Sequence, residues 1–199
     1  MGNGQFTTDE GNDYFSFGGT SASSPAIAGV AAQLYEAYAD QNNGAIPQSA
    51  LIKATMLNTA NEAGNIGPDF IYGWGIVNGL RAVKVLEEQN YLVDNITQGA
   101  TNNHVINVPE GTAQVRFMVY WSDVPGTINA NPALVNDLDL VVNAPTNNTL
   151  LPWILDPTPN AIALNTPATN GVDHLNNVCL LYTSPSPRDA TLSRMPSSA

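Results

Sequence analysis

The chain has 199 residues, 43% of them hydrophobic and only 12% charged, with 17 acids against 6 bases and a net charge of −11. That length suits one large domain or two small ones with enough apolar residues for a core. The acidic balance leaves no basic stripe for nucleic-acid phosphates and no attraction to an anionic membrane surface, no apolar run reaches the length of a membrane span, and a single cysteine excludes an intramolecular disulfide or a cysteine-based zinc site.

The opening residues, Met1-Gly-Asn-Gly-Gln5, carry neither a basic patch nor an apolar stretch, so no signal peptide is read there. Residues 1–18 lack a helical period and read as loop and short strand; Asp9 and Asp13 are read as surface loop charge. From about Ser23 to Tyr38 the residues are apolar nearly all round, with Ala26, Ile27, Ala28, Val30, Ala31, Ala32, Leu34 and Tyr35. A helix of that composition is expected inside a domain. Pro47 opens a second predicted helix, Gln48 to about Thr59. After a Gly/Asn-rich loop, Asn78 is a good N-cap for a third, Gly79 to Glu88, with Leu80, Val83 and Leu86 as its stripe.

Beyond about Tyr91 the texture changes. His104–Val108 reads as a short strand. Ala113–Trp121 alternates, with Val115, Phe117, Val119 and Trp121 on one face and Gln114, Arg116, Met118 and Tyr120 on the other, the pattern of a half-buried strand. Asp137–Val142 alternates before the turn signal Ala144–Asn148. Helices followed by strands suggest two domains, with the boundary near 90–100. From Cys179 to Ala199 the composition shifts again, to five Ser, three Pro and two Arg. Setting that tail aside removes Asp189, Arg188 and Arg194 and leaves 16 acids against 4 bases, a net of −12. It reads as a non-native tail, of the kind translated adaptor sequence leaves at the end of an assembled transcript.

The chemistry concentrates in Phe17–Gly29, F-G-G-T-S-A-S-S-P-A-I-A-G. A serine that attacks a carbonyl needs a base, oxyanion donors and rigid placement. Gly18-Gly19 permits a tight turn and close approach of substrate backbone. Ser21 then stands at a helix start, where free N–H groups and the helix dipole favour negative charge. Gly-Thr-Ser by itself is an ordinary N-cap. The wider pattern, G-T-S-x-x-S-P followed by x-x-A-G, resembles the nucleophile motif of subtilisin-like serine proteases, matched here by Gly19, Thr20, Ser21, Ser24, Pro25, Ala28 and Gly29. Ala26 departs from the histidine many relatives carry there, at a position outside the triad. Ala50–Ala60 and Tyr72-Gly-Trp-Gly75, with Val77-Asn78 and Arg81–Val83, are similar to the closing segments of that catalytic domain.

The resemblance implies a subtilisin-like three-layer α/β fold with a parallel sheet over residues 1–92, of which this chain holds the C-terminal part. It implies acyl transfer on protein or peptide substrates, with Ser21 attacking, a histidine as base and an aspartate orienting it. The family order puts Asp, His and the oxyanion asparagine before the serine. No histidine precedes Ser21, and His104 and His174 both follow it. The chain is therefore expected to be an inactive piece of a secreted endopeptidase that needs no cofactor for its chemistry.

Residues 100–178 resemble the β-sandwich or jelly-roll domain that follows the catalytic domain in some secreted subtilases, through Val115–Asp123, Val135–Val142, Pro152–Asp156 and Gly171–Val178. Asp137 and Asp139 share one face of a predicted strand. With Asp123 or Asp173 they offer a structural calcium site, or simply a solvated strand face. Tyr72, Trp74, Trp121 and Trp153 read as core or domain-interface aromatics, and Asn95 and Asn147 sit in glycosylation sequons. Two further readings stay open: a catalytically inactive subtilase-like binding or adhesion protein, and an unrelated β-domain protein with a chance motif. Oligomeric state is not legible.

Overall fold

The computed structural model describes residues 2–145 and 148–183; the Asn147 sequon and the tail beyond Thr183 lie outside them. The chain begins as a hairpin. β1 (Gly2–Thr8) pairs antiparallel with β2 (Tyr14–Gly19), and the turn closes with Asp9 N–H donating to Asp13 O at 2.8 Å. Asp9 and Asp13 also hold the turn with their carboxylates, accepting from Glu10 N–H and Tyr14 N–H. β2 runs straight into α1 (Thr20–Gln41), which is followed by α2 (Ser49–Thr59) and α3 (Gly79–Glu87). The three helices meet around Leu34, Leu51, Ile52, Ala82 and Leu86, with Tyr38 and Tyr91 packing at the margin.

Two expectations about these helices change. α1 buries only Ala22 and Leu34, while Ser24 to Gly29 are exposed and Ile27 is 40% exposed. The apolar belt is real, but α2, α3 and the hairpin cover only part of it. On α3 the buried set is Ala82, Val85 and Leu86, an i, i+3, i+4 face. Leu80 points to solvent at 70% exposure, because Asn78 caps the helix through Arg81 N–H (3.0 Å) and its pairing with Asn61 sets the helix's rotation.

After α3 the chain runs without regular structure to β3 (Arg116–Tyr120), then β4 (Val142–Asn143), β5 (Thr149–Leu150), β6 (Trp153–Ile154), α4 (Ala161–Asn165), β7 (Thr169–Asn170) and β8 (Val178–Tyr182). The strand expected at His104–Val108 is not formed, and Val105 is 92% exposed. Residues 137–141 join no ladder either, although the turn after Val142 closes as expected, with Ala144 N–H donating to Asn148 O at 2.9 Å. Cys179, Leu180, Leu181 and Tyr182, where the composition changes, are buried in β8, in full register with β3.

All four sheets among the described residues are two-stranded and antiparallel. Neither the expected parallel sheet nor a closed sandwich is formed by these residues. A five-residue turn imposes antiparallel pairing on β1 and β2, since parallel strands need a long crossover. In the second half, side chains take up backbone donors that a ladder would need. Asp123 alone accepts from the N–H groups of Val124, Val135 and Asn136.

The helical and β-rich segments touch. Arg116, read as an outward residue of a half-buried strand, is 7% exposed and inserts at the end of α2. Glu62 accepts from Tyr182 Oη at 2.6 Å and from Gly67 N–H at 3.1 Å, and Trp153 lies against Gly67 and the Tyr182 ring. Trp153 is thus an interface aromatic as expected. Tyr72 and Trp74 are 52% and 36% exposed.

Candidate active site

The geometry around Ser21 follows from one glycine. Gly19 is the N-cap of α1, with φ 96° and ψ −174°, a region that only glycine occupies without strain. A Cβ at Gly19 would meet nothing within 4 Å, so the backbone angle and not crowding requires glycine there. The chain turns at Gly19 from an extended strand into the helix. That places Thr20, Ser21 and Ala22 in the first helical turn, where N–H groups have no carbonyl four residues back.

The capping expectation is corrected here. Gly19 caps without any side-chain hydrogen bond, and neither Thr20 nor Ser21 is the N-cap residue. Ser23 Oγ reaches back to Gly19 O at 3.3 Å instead. Ser21 Oγ is therefore not used for capping; it is solvent-exposed at the second helical position. No acidic side chain stands in the first turn, so the positive end of the helix is not neutralised from within it. Pro25 lies inside the helix rather than in its first turn. Lacking an N–H, it cannot bond the Ser21 carbonyl four residues back, and its ring crowds that carbonyl. The Ser21 N–H thus has no carbonyl four residues back within the helix, and its carbonyl has no N–H donor at Pro25.

The two histidines have other partners. His104 Nε2 lies 3.9 Å from Asp94 Oδ2, and His174 Nδ1 is 2.7 Å from Asp137 Oδ2. Among the described residues no hydrogen bond joins either ring to Ser21. The second pair belongs to an exposed group, Asp137, Asp139 and His174, whose ligand atoms lie within 4.8 Å of one another. Of the calcium set read from the sequence, Asp137 and Asp139 come together, while Asp123 and Asp173 hold their own loops. Asp123 is tied to its own loop by Val124, Val135 and Asn136, with its pKa held down chiefly by the Val135 N–H. Asp173 is occupied by Leu175 and Asn176.

A second rigid feature closes the helical segment. Asp69, 5% exposed, accepts from the N–H groups of Asn65, Ile71 and Tyr72. Burial by itself would raise its pKa, but these three donors outweigh it and the net displacement is downward. The loop returns through the Asn61–Ile76 bridge, where Gly75 (φ 106°) passes so close to Asn61 O that a side chain would collide with it.

An exposed serine hydroxyl beside unpaired N–H groups at a helix start is what a serine hydrolase needs at its nucleophile. Residues 3–75 match the model of the subtilase family, which supports a subtilisin-like protease fragment. The matched segment spans the hairpin, Ser21, α1, α2 and the Asp69 loop, and the match supports a subtilase-type serine protease in general. No curated protein matches the chain. Among the described residues no helix is long and apolar enough to cross a membrane.

Proposed function

We propose that the chain carries the nucleophile of a secreted subtilisin-like serine endopeptidase, with Ser21 as the attacking residue. The observation that supports this most is Ser21 itself: exposed, free of capping duty, at the second position of a helix whose start has no acid, within the segment that matches the family. Ser21 Oγ adds to a peptide carbonyl as a base takes its proton. The carbonyl oxygen gains the negative charge and the Ser21 N–H is placed to receive it. The amine leaves with that proton, and water then releases the acyl group from the serine. We place the base and its aspartate on sequence outside these 199 residues, because among the described residues neither His104 nor His174 is bonded to Ser21. Side chains alone perform this chemistry on protein or peptide substrates. Residues 100–178 act as an accessory β domain.

A fluorophosphonate probe tests the assignment on the full-length protease. Labelling that disappears in Ser21→Ala supports it, and an unlabelled Ser21 in an active protease refutes it. The 199-residue chain alone is expected to lack turnover, because loss of the base costs about 10⁴–10⁶-fold. Peptide cleavage by the purified chain, abolished by Ser21→Ala, would show that its base lies within these residues.

A further inference from the structure

α2 ends without a cation of its own: its last turn contains no basic residue. The final carbonyls of a helix need donors from outside its ladder; Leu57 O is met locally by Ala60 N–H, but the donor to Asn58 O and Ala60 O comes from far along the chain. Arg116 Nη1 donates to Ala60 O at 2.7 Å and to Asn58 O at 3.3 Å, while its Nε donates to Gln114 Oε1 at 3.3 Å. The guanidinium is buried. Burial and the neighbouring Arg81 push its pKa down, yet a guanidinium stays charged at any working pH. A charge that cannot be shed must be met, and the negative end of α2 meets it. Earlier on the same helix, Lys53 Nζ lies 4.9 Å from the centre of the Tyr120 ring, so β3 touches α2 at two places.

The gripped carbonyls flank a junction. Ala60 leads into Asn61, which bridges to Ile76, and Asn61 Oδ1 accepts from Asn78 Nδ2 (3.0 Å) and Arg81 Nη1 (3.3 Å) at the start of α3. The end of α2 and the start of α3 are thus fixed around one residue, directly beside Arg116. Both helices form the core with α1, which presents Ser21.

We propose that Arg116 is a long-range C-terminal cap of α2, and that through it the β-rich segment holds together the helical layer that carries Ser21. When β3 undocks, two carbonyls lose their donor and the α2–α3 junction loosens. This holds whether or not Ser21 is a nucleophile.

Hydrogen exchange followed by mass spectrometry on the intact chain tests it, comparing wild type with Arg116→Met and Arg116→Lys. Arg116→Met removes the donors while keeping bulk. Amides at the end of α2 and at the Asn61–Ile76 bridge are expected to exchange about tenfold to a hundredfold faster, as for a buried acceptor left unmade, with the β1–β2 hairpin unchanged. Arg116→Lys, one ammonium in place of a fork, is expected to fall between. Exchange within twofold of wild type at both places in Arg116→Met overturns the proposal. Where Arg116→Met fails to fold, Arg116→Lys decides: faster exchange confined to these two places supports the cap, and unchanged exchange overturns it.

Discussion

Two glycines ten residues apart are expected to respond to the same substitution with opposite signs. At Gly19 the backbone sits at φ 96°, ψ −174°, and at Gly29 it lies within α1; a Cβ would meet nothing within 4 Å at either. Contacts therefore cancel from the comparison and only backbone conformation remains. Alanine restricts the unfolded chain at both positions, which favours folding by about 0.4–1 kcal/mol. At Gly29 nothing opposes that gain, and Gly29→Ala should stabilise by about 0.5–1 kcal/mol. At Gly19 the alanine must be held in a glycine-only region at a cost of about 1–3 kcal/mol. After the same gain, Gly19→Ala should destabilise by about 0.5–2 kcal/mol. For a chain of this size that separates the two melting midpoints by roughly 2–12 °C. Urea titration followed by helical circular dichroism measures both, with unchanged slopes required for the comparison to hold. If Gly19→Ala is neutral or stabilising, the chain does not make its turn into the helix at Gly19, and the placement of Ser21 loses its basis.

Three other outcomes can be measured on the same protein. Leu34, fully buried, should cost about 2–5 kcal/mol on replacement by Ala, whereas Leu80→Ala, on an exposed side chain, should change urea stability by no more than about 0.5 kcal/mol. The depressed pKa of Asp69 contributes stability that is present above the unfolded carboxylate value, about 3.9, and lost as pH falls through the folded value. The urea midpoint of the wild type should therefore drop more steeply than that of Asp69→Asn on going from pH 5 towards 2, and parallel curves would refute it. Cys179 is buried and its thiol is pushed up to about 12 by that burial and by Asp173. It should resist iodoacetamide at pH 8 in the folded chain and react once the chain is unfolded in urea.

What was legible in the sequence was local. Asn78 caps α3 because its side chain needs only the N–H three residues on, and the sequence shows that spacing directly. The helix that starts at Thr20 is legible from its run of small apolar residues. Gly-Thr-Ser looks like a side-chain cap in the sequence, but the cap is Gly19, and glycine signals the turn through its backbone rather than through a donor or acceptor. The strands at His104–Val108 and Asp137–Val142 fail for the opposite reason. Alternation supplies a face, but a strand also needs a partner. In this region the backbone donors of Val135 and Asn136 go to the Asp123 carboxylate instead.

Arg116 shows where sequence reading stops. In an alternating strand a lone arginine opposite Val115 and Phe117 has every reason to face water, and nothing nearby in the chain contradicts that. Its partners lie 56 and 58 residues upstream, on carbonyls that every sequence possesses and no sequence pattern marks. The available signal was negative: α2 ends with no cation of its own, so its terminal carbonyls had to be met from elsewhere. Asking where the final acceptors of each helix go would have raised Arg116 as a candidate among the chain's six basic residues. The same accounting applied to α1 leads to Ser21. Among the described residues its N-cap makes no side-chain hydrogen bond and its first turn holds no acid. The start of α1 and the end of α2 meet one requirement differently: the first holds no acid of its own, and the second is met by a distant arginine.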